Sequence, residues 1–266
     1  MPEQKWLVEG EKRIELGAIR NLKVSLIAGQ VDIIGHDEPT TIIEVHSVSG
    51  KGLKVTATDG SLEIDHPQLS WDNFIDAFRS FTGSASADIS IMVPRDVALK
   101  FGVVRANALI SGLTENASIS TVSGELVVDS MSGDLQLNSV NGEINVRNHN
   151  GGLVVKTVSG DVTASGEIIS IASDGVSGSV FLDVTGTPDA IRVNTVSGAV
   201  TTRLAPGVAA QYRINTVGGR IHLDDSEISG ARGGYTGRYG SLDESWLDFR
   251  ANTVSGDVSV LHAVTV

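Results

Sequence analysis

From Ser120 to Val146 the chain reads STVSGELVVDSMSGDLQLNSVNGEINV, a phrase that nearly repeats itself every nine residues. With a glycine set at position zero, apolar residues recur at −7, −5, −2, +2 and +4. Around Gly160 these are Leu153, Val155, Val158, Val162 and Ala164; around Gly124 they are Ala117, Ile119, Val122, Leu126 and Val128. The same frame fits Gly29 with Leu22, Val24, Ile27, Val31 and Ile33, and its left half fits Gly50 with Ile43, Val45 and Val48.

Steps of two are strand alternation, so the step of three from −5 to −2 slips the in/out phase once per unit. Each slip predicts a corner. Glycine falls in the inward phase beside it, where a side chain crowds the interior and a positive φ is accessible only to glycine at low cost.

TVSG or a close variant ends at Gly124, Gly142, Gly160, Gly178, Gly198, Gly219 and Gly256, first 18 residues apart and later 20 to 37. The expected fold is all-β: a right-handed parallel β-solenoid (β-helix) with about 18 residues and two short strands per coil. A single coil has nothing to cover its apolar face, but stacked coils cover one another. The whole chain, 1–266, reads as one such domain, less regular over 1–98 and regular over 99–266, with a glycine-rich excursion at 226–246. No run between Gly112 and Gly219 carries a helical period of ten residues or more, which excludes an α/β alternation there.

One stretch breaks the pattern differently. Residues 67–87 place Trp71, Phe74, Ile75 and Phe78 at i, i+3, i+4 and i+7, the stripe of a short amphipathic helix, and Phe81 follows. Phe74, Phe78 and Phe81 are half of the six phenylalanines, so these five residues form the candidate interaction surface. The stripe either caps an open end of the solenoid or docks a protein partner or a second copy.

The formal net charge of −12 makes the average surface repel nucleic acid and anionic lipid. The absence of cysteine removes disulfides, thiolate nucleophiles and zinc–thiolate sites. The opening MPEQKWLVEGEKRIEL lacks a basic segment followed by an apolar one, and no stretch is long and apolar enough to span a bilayer. A soluble, cytoplasmic protein is expected, associated with the envelope only through a partner.

The run SVSG, LISG, TVSG, SMSG, SVNG, TVSG, GVSG, TVSG, led by ISIMVP at residues 89–94, resembles the bacterial putative adhesin family also called toastrack. The opening LKVSLIAGQVDIIGHDE is similar to the usual start of that family. The resemblance covers nearly the whole chain. It implies a β-helix-like fold without an established enzymatic activity, often encoded beside envelope-stress genes, and it supplies no catalytic residues.

Acidic residues follow the turn glycine at Glu125, Asp134, Glu143, Asp161 and Asp257. A coil of 18 residues stacks Glu125, Glu143 and Asp161 in one column, either as solvated turn residues or as a weak divalent-cation site. The pair Thr-x-Ser recurs at Thr121, Thr157, Thr195 and Thr253, read as outward hydroxyls that bond neighbouring backbone, order water or grip a glycan. The six histidines form no His-x-x-x-His motif, and His149 falls on an inward slot. No nucleophile elbow and no paired carboxylates emerge. No catalytic residue, cofactor or metal is therefore assigned. The expected function is a non-enzymatic scaffold or protein-interaction module tied to envelope stress or adhesion; the alternatives are a carbohydrate-binding or carbohydrate-cleaving β-helix and a self-assembling solenoid.

Overall fold

Valine, isoleucine and leucine at alternate positions, punctuated by glycine, give strands and nothing else in the computed structural model, which describes residues 3–66, 85–228 and 234–264. Among the described residues there are twenty strands, in two compact units that divide after Gly133. Of the helical insertion expected at 67–87, residues 67–84, with Trp71, Phe74, Ile75, Phe78 and Phe81, lie outside the described residues, while Ser86 and Ala87 lie in a strand.

The first unit holds β1 (Gln4–Val8), β2 (Lys12–Gly17), β3 (Asn21–His36), β4 (Thr40–Ser49), β5 (Leu53–Thr58), β6 (Ser61–Asp65), β7 (Ser86–Pro94), β8 (Ala98–Ser111) and β9 (Ala117–Asp129). Parallel pairing runs through its middle. β3 lies between β6 and β8 over its first half and between β7 and β8 over its second, and β9 stacks on β8. The flanks are antiparallel: β1 on β5 on β6, and β2 on β4 on β7.

The second unit holds β10 (Leu135–Thr157), β11 (Val162–Gly175), β12 (Val180–Val184), β13 (Ala190–Thr195), β14 (Val200–Leu204), β15 (Ala210–Thr216), β16 (Ile221–Leu223), β17 (Ser226–Glu227), β18 (Tyr235–Tyr239), β19 (Leu247–Thr253) and β20 (Val258–His262). Two parallel ladders run through it. In one, Ile144, Val162, Val180, Val200, Val258 and Ile221 are partners in turn. In the other, Leu153, Ile171, Ile191, Phe249 and Tyr212 are partners, and all are buried. Tyr212 and Phe249 meet edge to face at 6.0 Å, a favoured aromatic geometry.

Row order departs from chain order. The C-terminal strands β19 and β20 insert between β13–β14 and β15–β16, so the row that precedes them in sequence is pushed outward. The excursion over 226–246 supplies antiparallel partners to that outer row, β18 on β15 and β17 on β16.

The repeated phrase is explained residue by residue. Gly160, at φ +120°, leaves room for the carbonyl of Gly142: a Cβ there would stand 2.3 Å from that oxygen. Gly178 stands in the same relation to Gly160, and Gly198 to Gly178. The crowding comes from the backbone of the neighbouring row, not from the interior. The serine hydroxyls of Ser159, Ser177 and Ser255 reach the valine carbonyls of Val140, Val158 and Val196 one row away.

Threonine and valine exchange the roles expected of them. In the first unit the −2 residues Ile27 and Val122 are buried, but in the second Val158 is 51% exposed, in line with Val140, Val176, Val196 and Val254. Thr157 turns inward instead, at 8% exposed, as do Thr195 and Thr253. The reason is the corner backbone: Thr157 Oγ1 donates to the Ser159 carbonyl at 3.2 Å, and the Gly256 amide donates to Thr253 Oγ1 at 2.8 Å. A valine in that slot would leave those buried polar groups unpaired.

Candidate binding face

The ladder of β10, β11, β13, β19, β15 and β18 has an outward side, and strand alternation fixes which residues stand on it. One column runs Val154, Ala172, Arg192, Arg250, Arg213, Thr236. The next runs Lys156, Asp174, Asn194, Asn252, Asn215. Three rows therefore present the same Arg-x-Asn pair. The sequence carries it openly as IRVNTVSG, FRANTVSG and YRINTVGG, ending at Gly198, Gly256 and Gly219. Reading the repeat for its apolar frame alone passes over these polar positions, although they sit at a fixed distance before the glycine.

The asparagines are joined head to tail. Asn215 Nδ2 donates to Asn252 Oδ1 at 2.8 Å, Asn252 Nδ2 to Asn194 Oδ1 at 2.7 Å, and Asn194 Nδ2 to Asp174 Oδ1 at 2.8 Å. Each amide spends one N–H on its neighbour, which fixes its orientation and leaves the second N–H facing out. A carboxylate, an acceptor only, terminates the series.

The arginines are fixed to different degrees. Arg250 bonds Asp248 with Nε at 3.2 Å and Nη2 at 2.6 Å, and Arg213 Nη1 reaches the same carboxylate at 3.0 Å. The bond to Asp248 raises the affinity of the Arg250 guanidinium for its proton, so it stays charged throughout. Arg192 is exposed and makes no hydrogen bond or ion pair among the described residues. With Arg238, opposite Gln211, and Lys156, the outward side of this ladder carries five cations against two carboxylates, Asp174 and Asp248. The chain as a whole has a net charge of −12, so this face runs against the average.

Two of the turn acids, Asp161 and Asp257, do other work. Following Glu143 and Asp161, the +1 column continues with Ser179, Ala199, Asp257 and Arg220, so it is not a run of carboxylates. Asp161 Oδ1 accepts the Ser179 amide at 2.7 Å, and Asp257 Oδ1 accepts the Arg220 amide at 2.8 Å. That backbone bond holds the Asp257 carboxyl below its ordinary range. These side chains clip one row to the next. Among the described residues, no three His, Asp or Glu side chains are placed to hold a metal ion.

His149 is fully buried, its Nε2 3.1 Å from the Gly152 carbonyl. At the outer end of the unit, His262 lies between acceptors: Nδ1 is 3.1 Å from Asp224, Nε2 is 3.1 Å from the Val208 carbonyl, and Tyr239 stacks on the ring at 3.9 Å. With both ring nitrogens engaged, His262 braces the outer row. Among the described residues, no helix is long and apolar enough to cross a membrane.

No protein-family model matches the chain, and no curated protein does. Several solved structures are similar to it. A putative cell adhesion protein from Clostridium sporogenes matches 98% of this chain and 99% of its own, at 14% identity and a TM-score of 0.32. A putative adhesin from Bacteroides fragilis matches 94% and 97% at 8% identity and TM-score 0.39. A third, from Parabacteroides merdae, matches 97% and 96% at 12% identity and TM-score 0.30. Each is a putative adhesin or cell adhesion protein by name only. The TM-scores describe a loose likeness, and what those proteins bind stays with them.

Proposed function

We propose that the protein is a non-enzymatic binding scaffold, a right-handed parallel β-solenoid of about 18 residues per coil whose rows present a flat, prearranged polar face to another molecule. A role in adhesion or at the cell envelope fits such a face. One observation carries this reading: Arg-x-Asn recurs in three stacked rows, while two rows of the same ladder place Val154 with Lys156 and Ala172 with Asp174 at those positions. The ladder therefore does not need Arg-x-Asn in order to pair. Side chains held in place by their neighbours lose little freedom when a ligand arrives, which favours binding.

The test joins binding and turnover. Purified protein is passed over immobilised bacterial surface polymers and host glycans by biolayer interferometry, and the same polymers are assayed for new reducing ends and unsaturated products. Saturable binding without product formation is expected. Reproducible turnover would overturn the reading.

A further inference from the structure

We infer that the face formed by Arg192, Arg250 and Arg213 beside Asn194, Asn252 and Asn215 binds a linear acidic polysaccharide, with carboxylate or sulfate groups on the guanidiniums and sugar hydroxyls on the amides. The inference rests on the binding-scaffold reading and adds the ligand class. Its first ground is charge. Three arginines in consecutive rows, about 4.8 Å apart, make a cationic strip on an anionic protein. One carboxylate, Asp248, occupies two of the three, and it holds their planar groups in place while neutralising only part of their charge.

The second ground is the free guanidinium. Arg192 stands at the inner end of the arginine column, exposed and unbonded among the described residues, with its five donors available for a bidentate contact to a carboxylate or sulfate. The third is the neighbouring column. Outward amide N–H groups at a regular step suit a polymer whose hydroxyls recur at a regular step, and a discrete anion would use only one row. A nucleic acid fits less well: these columns carry no aromatic ring on which a base would stack.

The experiment is affinity electrophoresis in native gels containing polygalacturonate, heparin, dextran or single-stranded DNA, with dissociation constants from interferometry at two salt concentrations. The proteins are the wild type, Arg192→Glu and Arg203→Gln. Arg192 holds nothing in the fold, so its charge reversal leaves the melting temperature in place; Arg203 pairs with Asp183 in the other ladder and serves as the cationic control. The wild type is expected to be retarded by polygalacturonate or heparin, whichever of the two acid groups it prefers, and not by dextran. Arg192→Glu should weaken that binding about tenfold or more, higher salt should weaken it further, and Arg203→Gln should match the wild type. Preference for DNA, equal retardation of Arg192→Glu, or no retardation by either acidic polymer would each overturn the ligand assignment. Binding to neutral glycans that survives Arg192→Glu would do so while leaving the scaffold reading intact; cleavage of an acidic polymer would overturn the non-enzymatic reading while leaving the ligand class standing.

Discussion

Asn252 donates its side-chain amide to Asn194 at 2.7 Å, although 58 residues separate the two in sequence. The bond exists because the C-terminal strand β19 is slotted between β13 and β15, placing three asparagines of three distant phrases in one file. Hydrogen bonds aligned head to tail polarise one another, so the file is stiffer than three separate contacts.

Asn252→Asp is expected to cost more than Asn252→Ala. The carboxylate still accepts from Asn215 but sets an oxygen against Asn194 Oδ1, where the amide had donated. The aspartate should lower stability by about 1 kcal/mol and the alanine by roughly half that, because the site is exposed and water replaces part of the loss. Urea titrations of the three proteins measure it. An unchanged midpoint for both would mean that the file does not form in solution.

Gly178→Ala and Gly175→Ala should behave oppositely despite lying three residues apart. At Gly178, φ is +120° and an added Cβ would meet the Gly160 carbonyl oxygen at 2.3 Å, a rigid backbone atom one row away. A loss of several kcal/mol or failure to fold is expected. At Gly175 the nearest atom to a new Cβ is Thr157 Cγ2 at 3.5 Å, an ordinary contact, and the reduced freedom of the unfolded chain should raise stability by up to about 1 kcal/mol. Thermal unfolding of both variants decides it.

Much of this architecture is legible in the apolar frame, because an inward residue must be apolar wherever rows stack: Leu153, Val155, Val162 and Ala164 are all buried where the frame puts them. The corner is not legible, because hydrophobicity alone assigns valine inward and threonine outward, whereas the hydrogen-bonding needs of the turn reverse them at Thr157 and Val158. Row order is also hidden. Rows that carry the same phrase can stack on any other such row, so nothing local tells Gly256 to sit between Gly198 and Gly219. The binding face was written in the sequence as a threefold Arg-x-Asn, but its meaning depends on that row order: only stacking turns three scattered pairs into two columns.

The reversal at the corner predicts that Val158→Asp is tolerated and Val155→Asp is not. Val158 is 51% exposed, so a carboxylate there remains hydrated and should cost within about 1 kcal/mol. Val155 is 1% exposed beneath the ladder, and a charge there has no partner and no water, for a loss of roughly 3 kcal/mol or more. Circular dichroism melts of the pair give the comparison. Equal losses would return Val158 to the interior.

His66 should make stability fall as the solution becomes mildly acidic. The ring is 1% exposed, its Nδ1 accepts the Ile27 amide at 3.2 Å, and burial lowers its pKa to about 4. In the unfolded chain a histidine takes up a proton near its ordinary value of about 6.5. Between these two values the unfolded state therefore binds more protons, so unfolding becomes easier as pH drops through that window, while above it His66 contributes no slope. His66→Gln removes the titrating group but keeps an acceptor for the Ile27 amide, so its urea midpoint should depend less on pH between 6.5 and 4 than that of the wild type, whatever its absolute stability. An NMR titration of the wild-type ring reads the same quantity directly. Identical pH slopes for the two proteins, or a His66 ring that protonates near 6.5 in the folded state, would show that this histidine is not held neutral by burial.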